Sequence, residues 1–381
     1  MIKKKILFVV AEFFKGGAER YAYELDRVLD KTKFEVTILC LNNKNQKIDN
    51  WKRFYDKKHS ELGTEIIFFD NLLNPEKLFF NKIKRKLKIK TEGRINHKKI
   101  ISLLSNFDVL HWMGEYTFYH KLPDNLLRKS IVNTMSAKFQ NPSLYDKFNF
   151  GTNYTFMSGF SGEEFKYEYG DFTKIKHYFF PLVFKIENEK PKWNFLGNPD
   201  IKKIGIFTRL DKYKPLDPFF YAFQLLLSED INVELHVFGT GDPEEEGMNI
   251  KLKNLDISEK VFFRGHQEDI TKTAIEEQLN LSWFQGYNNN RPAGYAGFDI
   301  CSVGLPLICW DFFHDKIKEK NPIYPHYKNL KKFVDHSLKI INNKEEAIKL
   351  SSLQFNNVKE NRDSLKYIKK LERIYNEINV N

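Results

Sequence analysis

Three observations predict an α/β chain of two doubly wound, Rossmann-like parallel-sheet domains facing each other across a cleft. The chain has 381 residues, more than a single core usually serves. Short apolar runs alternate with amphipathic segments along it, the pattern of parallel sheets covered on both faces by helices. The series breaks once, at the polar, proline-bearing interval KIENEKPKWNFLGNPD over residues 185–200, and then starts again.

The first run, residues 6–10, is short and apolar and reads as a buried strand. Lys15-Gly16-Gly17-Ala18-Glu19 follows, and then a helical pattern with Ala22, Leu25, Val28 and Leu29 on one face. FEVTILCL, TEIIFFD, FDVLHWMG, SIVNTMSA, NYTFMSG and HYFFPLV continue the first series of strands. After the interval come KKIGIFTRL, VELHVFG, KVFFRG, LNLSWF and PLICWD, with helical patterns such as DPFFYAFQLLLSED between them. These set domain boundaries at 1–184 and 185–360. The last segment, residues 361–381, reads as a charged helix. Its stripe of Leu365, Ile368, Leu371 and Ile374 predicts that it packs back onto the first domain. In doubly wound sheets ligands bind outside the carboxyl ends of the strands, so the loops that follow strands are where chemistry is expected.

Composition narrows the function classes. Cys40, Cys301 and Cys309 are the only cysteines and have no metal-ligand spacing, which argues for a reducing compartment and against a disulfide framework or structural zinc. The opening MIKKKILFVVAEFF imitates a signal peptide, but its apolar run is too short and Glu12 interrupts it. No stretch approaches the roughly 20 apolar residues of a membrane span. A cytoplasmic protein is expected. The net charge of +11 suits an anionic ligand, an anionic membrane or nucleic acid, or simply a lysine-rich solvated surface. Residues 82–99 concentrate nine Lys/Arg against one Glu, next to Leu78, Phe79, Phe80, Ile83 and Leu87 on one helical face. A basic amphipathic segment of this kind, over 78–99, predicts peripheral attachment to the inner face of an anionic membrane. No recognisable module for nucleic acid accompanies the charge, so nucleic acid is not an expected partner.

Four loops then stand out in order: Gly16-Gly17 after the first strand, TRLDKYKP with Arg209 and Lys214 five residues apart, FGTGDPEE, and LSWFQGYNNNRPAGYAGFDICSVGLPLICWD over 281–311. The ordered set resembles the retaining, nucleotide-sugar-dependent glycosyltransferases of family 4, which have the GT-B fold. The resemblance covers nearly the whole chain and is strongest from about 203 to 311. It implies an acceptor-side N-terminal domain, a donor-binding C-terminal domain, a UDP- or GDP-linked sugar as co-substrate, and a glycan or lipid-linked acceptor. No metal or other cofactor is implied: the residues matching Arg209 and Lys214 steady the leaving diphosphate, a planar fork and a point charge being complementary there. The glycines matching Gly16 and Gly17 lie over the diphosphate and sugar, at a helix start whose amides bind anions. Arg264 and Gly265 match the loop that reads the nucleobase.

The long motif departs from the family's pattern of two glutamates eight residues apart. Gln285 stands at the first and Asp299 at the second, fourteen residues on, as though 288–293 were inserted before Gly294. A rival alignment keeps the spacing and sets Arg291 at the first position; the insertion needs one event and keeps QGY in place of EGF. The resemblance assigns Gln285 to hydroxyls of the donor sugar, Asp299 to the ribose, and the amides of Gly294, Tyr295 and Ala296 to sugar and diphosphate. Arg291 would pair with an acidic donor sugar. Ser136 stands where many relatives carry a histidine facing the donor sugar, with His111, Glu115 and His120 as candidate substitutes on a neighbouring loop. The replacements at 285, 299 and 136 keep an alternative open, a nucleotide- or sugar-binding protein whose chemistry has eroded. A sugar epimerase is a third reading, disfavoured by the Arg209/Lys214 pair.

Overall fold

The structure is a computed structural model that describes residues 2–42, 53–69, 97–119, 121–134, 154–159, 176–194, 200–210, 214–229, 231–287, 291–292, 294–312 and 323–378. Ser136, His120 and residues 78–96 of the basic segment lie outside these. The chain forms two compact units, one of 1–185 with 364–381 and one of 186–363.

In the first unit β1 (Lys4–Val10), β2 (Phe34–Cys40), β3 (Glu65–Phe68), β4 (Val109–Trp112), β5 (Ser130–Thr134), β6 (Thr155–Ser158) and β7 (Lys176–Phe179) form one sheet in the order β3-β2-β1-β4-β5-β6-β7. Every pairing is parallel. Both faces of β1 and β4 are covered, which is why Ile6, Leu7, Phe8 and Val9 are all fully buried instead of alternating. On one face α3 (His97–Ser105) packs Ile100 and Leu104 against Leu7, Val9, Leu110 and Trp112. On the other, α1 (Gly17–Val28) packs beside the last helix of the chain, α11 (Ser364–Glu377). Between them in the chain lie α2 (Tyr55–Glu61) and a short α4 (Asp124–Leu127).

The face of α11 differs from the one its sequence suggests. Leu371, Ile374 and Tyr375 are fully buried, while Leu365 is 63% exposed. Position 364, seven residues before Leu371, holds the buried end of that face; Leu365 is one step of about 100° around the helix from it. Lys4 Nζ donates to the carbonyls of Tyr375 and Ile378 at 2.6 and 3.1 Å, satisfying acceptors that a helix end leaves open.

The second unit has β8 (Lys202–Phe207), β9 (Val233–Phe238), β10 (Val261–Gly265), β11 (Leu281–Tyr287), β12 (Arg291–Pro292), β13 (Leu307–Asp311) and β14 (His326–Tyr327). The path β10-β9-β8-β11-β13-β14 is parallel, and β12 pairs antiparallel with β11. Its helices are α5 (Asp217–Leu227), α6 (Met248–Asn254), α7 (Ile270–Glu276), α8 (Tyr295–Ser302), α9 (Leu330–Asn342) and α10 (Lys344–Asn361). Phe219, Phe223, Trp283 and Phe333 form the aromatic centre under α5 and α9, and the Trp283 indole N–H donates to Ser337 at 2.9 Å. Gln354 on α10 bonds the Leu307 amide and carbonyl and the Ile323 carbonyl, so one buried amide clamps the start of β13. All three cysteines are buried and free.

Candidate functional site

The second unit changes winding direction between β8 and β11: β9 and β10 lie to one side of β8, β11 and β13 to the other. Loops leaving β8 and β11 therefore diverge, and a crevice opens at their carboxyl ends. Thr208 follows β8, and its hydroxyl donates to Gln285 Oε1 across that point at 3.3 Å. Gln285 is only 2% exposed, and its Nε2 has no hydrogen-bond partner among the described residues. A buried amide with half its bonding unmet is costly, on the order of 1–3 kcal/mol, which marks this position for a ligand acceptor.

Arg209 is the next residue after Thr208 and is exposed. Its loop is held tightly. Thr208 N–H donates to Phe238 O at 2.9 Å, Leu210 N–H to Thr240 O at 2.7 Å, and Gly239 N–H to Gly265 O at 2.9 Å. A Cβ on Gly239 would stand 1.6 Å from the Thr208 carbonyl oxygen, so only glycine lets the loops after β8 and β9 meet. Lys214, half-buried, lies just before α5. The arginine, the loops after β9 and β10, and Gln285 thus share one end of one sheet.

The residues after Gln285 turn back. Gly286 pairs with Pro292 and Tyr287 with Arg291 in an antiparallel hairpin. The hairpin delivers the chain to Gly294, the N-cap of α8 at φ +96°, a conformation that disfavours any side chain. Among the described residues no atom lies within 4 Å of where its Cβ would be, and the amides of the first turn lack intrahelical partners. Tyr295 is buried, Ala296 half-buried, and Asp299 is 5% exposed one turn further on. Arg291 belongs to the returning strand β12, and Gln285 to β11.

Arg264 and Gly265 are the last residues of β10 itself, beside a bulge in its pairing with β9. The Arg264 carbonyl accepts from Gln267 Nε2 at 3.0 Å. Its Nε–H donates to Nδ1 of the buried His236 at 3.2 Å. Neither His236 nor Thr208 was singled out by the sequence. A histidine inside VELHVFG looks like one more strand residue, because its partner is 28 positions away.

In the first unit the corresponding change of direction falls between β1 and β4. Gly16 caps α1 and Gly17 opens it. Glu19, in the first turn, folds back: a Cβ on Gly16 would meet its Oε2 at 2.2 Å. The glycine therefore makes room for an acidic side chain at the helix N-terminus, where negative charge is favoured. Partial desolvation, then the nearby charges of Glu19, Glu115 and Glu12, raise the phenol of Tyr116 above its usual range, although the side chain is 47% exposed. Glu115 is itself buried.

His111 is inside β4, not on a loop, and is fully buried. Its Nδ1 is hydrogen-bonded to the Tyr375 hydroxyl of α11 at 2.8 Å. Burial holds its pKa down at about 3, against a hydrogen bond with Asn133 that pulls the other way. It is a neutral tie between sheet and helix and is not placed to meet a sugar. Among the described residues no group of three or more His, Cys, Asp or Glu is placed to hold a metal ion, and no helix is long and apolar enough to cross a membrane. An open groove of about 750 Å³ runs beside α3, with His97, Lys98 and Lys121 next to Ile101, Leu122 and Pro123.

No family model and no curated protein sequence matches the chain. Solved structures do match, over essentially the full length. HepE of Anabaena, in complex with UDP and glucose, superposes with a TM-score of 0.68 at 10% identity, covering 98% of this chain and 99% of that one. TarM of S. aureus, a variant in complex with fondaparinux, α-GlcNAc-glycerol and UDP, gives 0.67 at 12%, covering 98% and 100%. Sucrose-phosphate synthase of Thermosynechococcus elongatus gives 0.66 at 12%, covering 98% and 99%. The chain has the GT-B fold, with two Rossmann-like domains.

Proposed function

We propose that the protein is a family 4 glycosyltransferase that moves a hexosyl group from a nucleoside-diphosphate sugar to an acceptor hydroxyl with retention, without a metal. The observation that carries this reading is the gathering, at the switch point of the second unit, of Arg209, the Thr208–Gln285 bond and the loops after β9 and β10. Support comes from the fold, whose solved examples include HepE with UDP-glucose.

In this account the bond between the anomeric carbon and the diphosphate oxygen breaks, and its electron pair leaves with the diphosphate. Arg209 and Lys214 stabilise the charge that grows there. The acceptor oxygen attacks the same face, and its proton passes to the departing phosphate oxygen, so no protein base is required. Gln285 Nε2 donates to the donor sugar, the first amides of α8 meet the sugar and diphosphate, and Asp299 accepts from the ribose. Arg264 and Gly265 form the nucleobase end. Arg291 and Ser136 are proposed sugar contacts. Glu19 and Glu115 favour a neutral, hydroxyl-rich acceptor on the first unit over a second anion.

The acceptor class is a glycan or lipid-linked glycan at an anionic membrane, supported by the basic sequence 78–99 and the lysine-lined groove beside α3. A binding protein without turnover is the second reading, favoured by the absence of a carboxylate at Gln285. The test is incubation with UDP- and GDP-sugars and an acceptor mixture in EDTA, following nucleoside diphosphate release and the anomeric proton coupling of the product. Release with an α-linked product from an α-linked donor supports the proposal. Tight nucleotide binding without release would establish the second reading, and an inverted product would reject retention.

A further inference from the structure

His236 is wholly buried in the centre of β9 and is bonded at both ring nitrogens. The Arg264 Nε–H can only donate, so Nδ1 accepts it at 3.2 Å and carries no proton. The ring proton is therefore on Nε2, which donates to Glu234 Oε2 at 2.9 Å. Glu234 fixes the tautomer, the tautomer presents an acceptor, and the acceptor fixes the arginine. The guanidinium also lies over the Phe262 ring, 5.1 Å from its centroid. Arg264 is exposed, yet it is held on one face by an aromatic ring and at Nε by a buried imidazole.

We propose that His236 is a positioning residue for nucleotide recognition, holding the Arg264 guanidinium as a fixed flat platform on which the nucleobase of the donor stacks. The inference rests on the donor-site reading above and names a device within it. A solvated arginine has many rotamers to give up when it is fixed. Pinning it beforehand removes most of that cost from binding. A planar guanidinium with an open face stacks on any base, and a tether at Nε leaves the terminal amino groups to meet base carbonyls or ribose.

The device also carries a pH dependence. The groups facing His236 are Glu234 on its own strand, Lys203 on β8 and Arg264 on β10. Burial first, then the two cations, hold its pKa below 6.5 against Glu234, so it is neutral at pH 7. Protonation would turn Nδ1 from acceptor to donor, facing another donor and another positive charge. The tether is then lost.

The test is titration calorimetry of the full chain with UDP, GDP and ADP and, for the preferred base, its sugar conjugate, whose diphosphate does not titrate near neutrality. His236→Phe and Arg264→Ala should each weaken binding about tenfold, and the double variant should be no weaker than Arg264→Ala alone. His236→Asn, which keeps an acceptor near the Nδ1 position, should bind within a few-fold of the parent. Parent affinity should fall as pH drops below 6.5, and that fall should vanish in Arg264→Ala. Melting curves establish that each variant is folded, and Arg264→Ala, at an exposed site, carries the test if His236→Phe is not. Parent-like binding by a folded His236→Phe overturns the proposal, as does a further loss when it is added to Arg264→Ala, or an unchanged pH profile in Arg264→Ala. Absence of nucleotide binding by the parent itself rejects the donor-site reading, and the tether's role with it.

Discussion

His111 and Tyr375 show how one side chain can decide where a helix docks. The pair ties β4 to α11 across 264 positions of sequence. Tyr375→Phe removes the hydroxyl and leaves a buried imidazole nitrogen without its partner. Urea unfolding at pH 7 should register a loss of about 1–3 kcal/mol, with activity per folded molecule unchanged. Both His111, at about 3, and His177, at about 4, are held below the ordinary 6.5, chiefly by burial. The unfolded chain therefore takes up protons first as pH falls. Stability is full above 6.5 and declines from 6.5 towards 4, by up to ~1.4 kcal/mol per pH unit for each histidine. Replacing His111 with Gln should flatten that decline; an unaltered slope would contradict it. In the sequence His111 was readable only as one histidine near a strand end, because neither its burial nor its tyrosine partner is local.

At the scale of elements, α11 and the β11–β12 hairpin are the informative cases. The stripe of Leu365, Ile368, Leu371 and Ile374 gives the helix and its approximate face, but not the phase. Leu371→Ala should cost about 2–5 kcal/mol, whereas Leu365→Ala, at a 63% exposed position, should stay within about 0.5 kcal/mol. Comparable losses from the two would mean that the helix is turned otherwise. For α8, Gly294→Ala imposes a side chain at φ +96°, where the penalty is strain and not collision. It should lower stability by about 1–2 kcal/mol and weaken nucleotide-sugar binding more than it weakens binding of the free nucleoside. The parallel strands were legible because strands buried on both faces must be apolar throughout, as ILFVV and PLIC are. β12 was not: Arg291-Pro292 has no apolar run, and only its pairing with Gly286 and Tyr287 makes it a strand. The Thr208–Gln285 and His236–Arg264 contacts were hidden for the same reason, since each joins neighbouring strands that are distant in sequence.

For the whole molecule, sequence pattern foretold two doubly wound domains, even though HepE, TarM and sucrose-phosphate synthase, which share the fold, are only 10–12% identical. Alternating buried strands and amphipathic helices need only residue classes, so they survive divergence that erases identity. The charge distribution yields a further prediction. Lys98 and Lys121 are exposed beside an apolar groove, and each basic side chain near an anionic bilayer contributes about 1 kcal/mol. Lys98→Glu with Lys121→Glu should reduce sedimentation with vesicles rich in phosphatidylglycerol at least tenfold, while binding to neutral vesicles stays at background. Undiminished sedimentation would remove this face from membrane attachment.

The central claim is that the second unit binds a nucleoside diphosphate through Arg209 without a metal. Thermal unfolding against UDP, GDP, ADP and CMP, each with EDTA, measures this most directly. A ligand at about 100 times its Kd adds ~2.7 kcal/mol to the folded state. The account predicts a clear upward shift in Tm with UDP or GDP, none with CMP, and loss of the shift in Arg209→Ala at unchanged intrinsic stability. No shift with any nucleotide, or one that persists in Arg209→Ala, would contradict it.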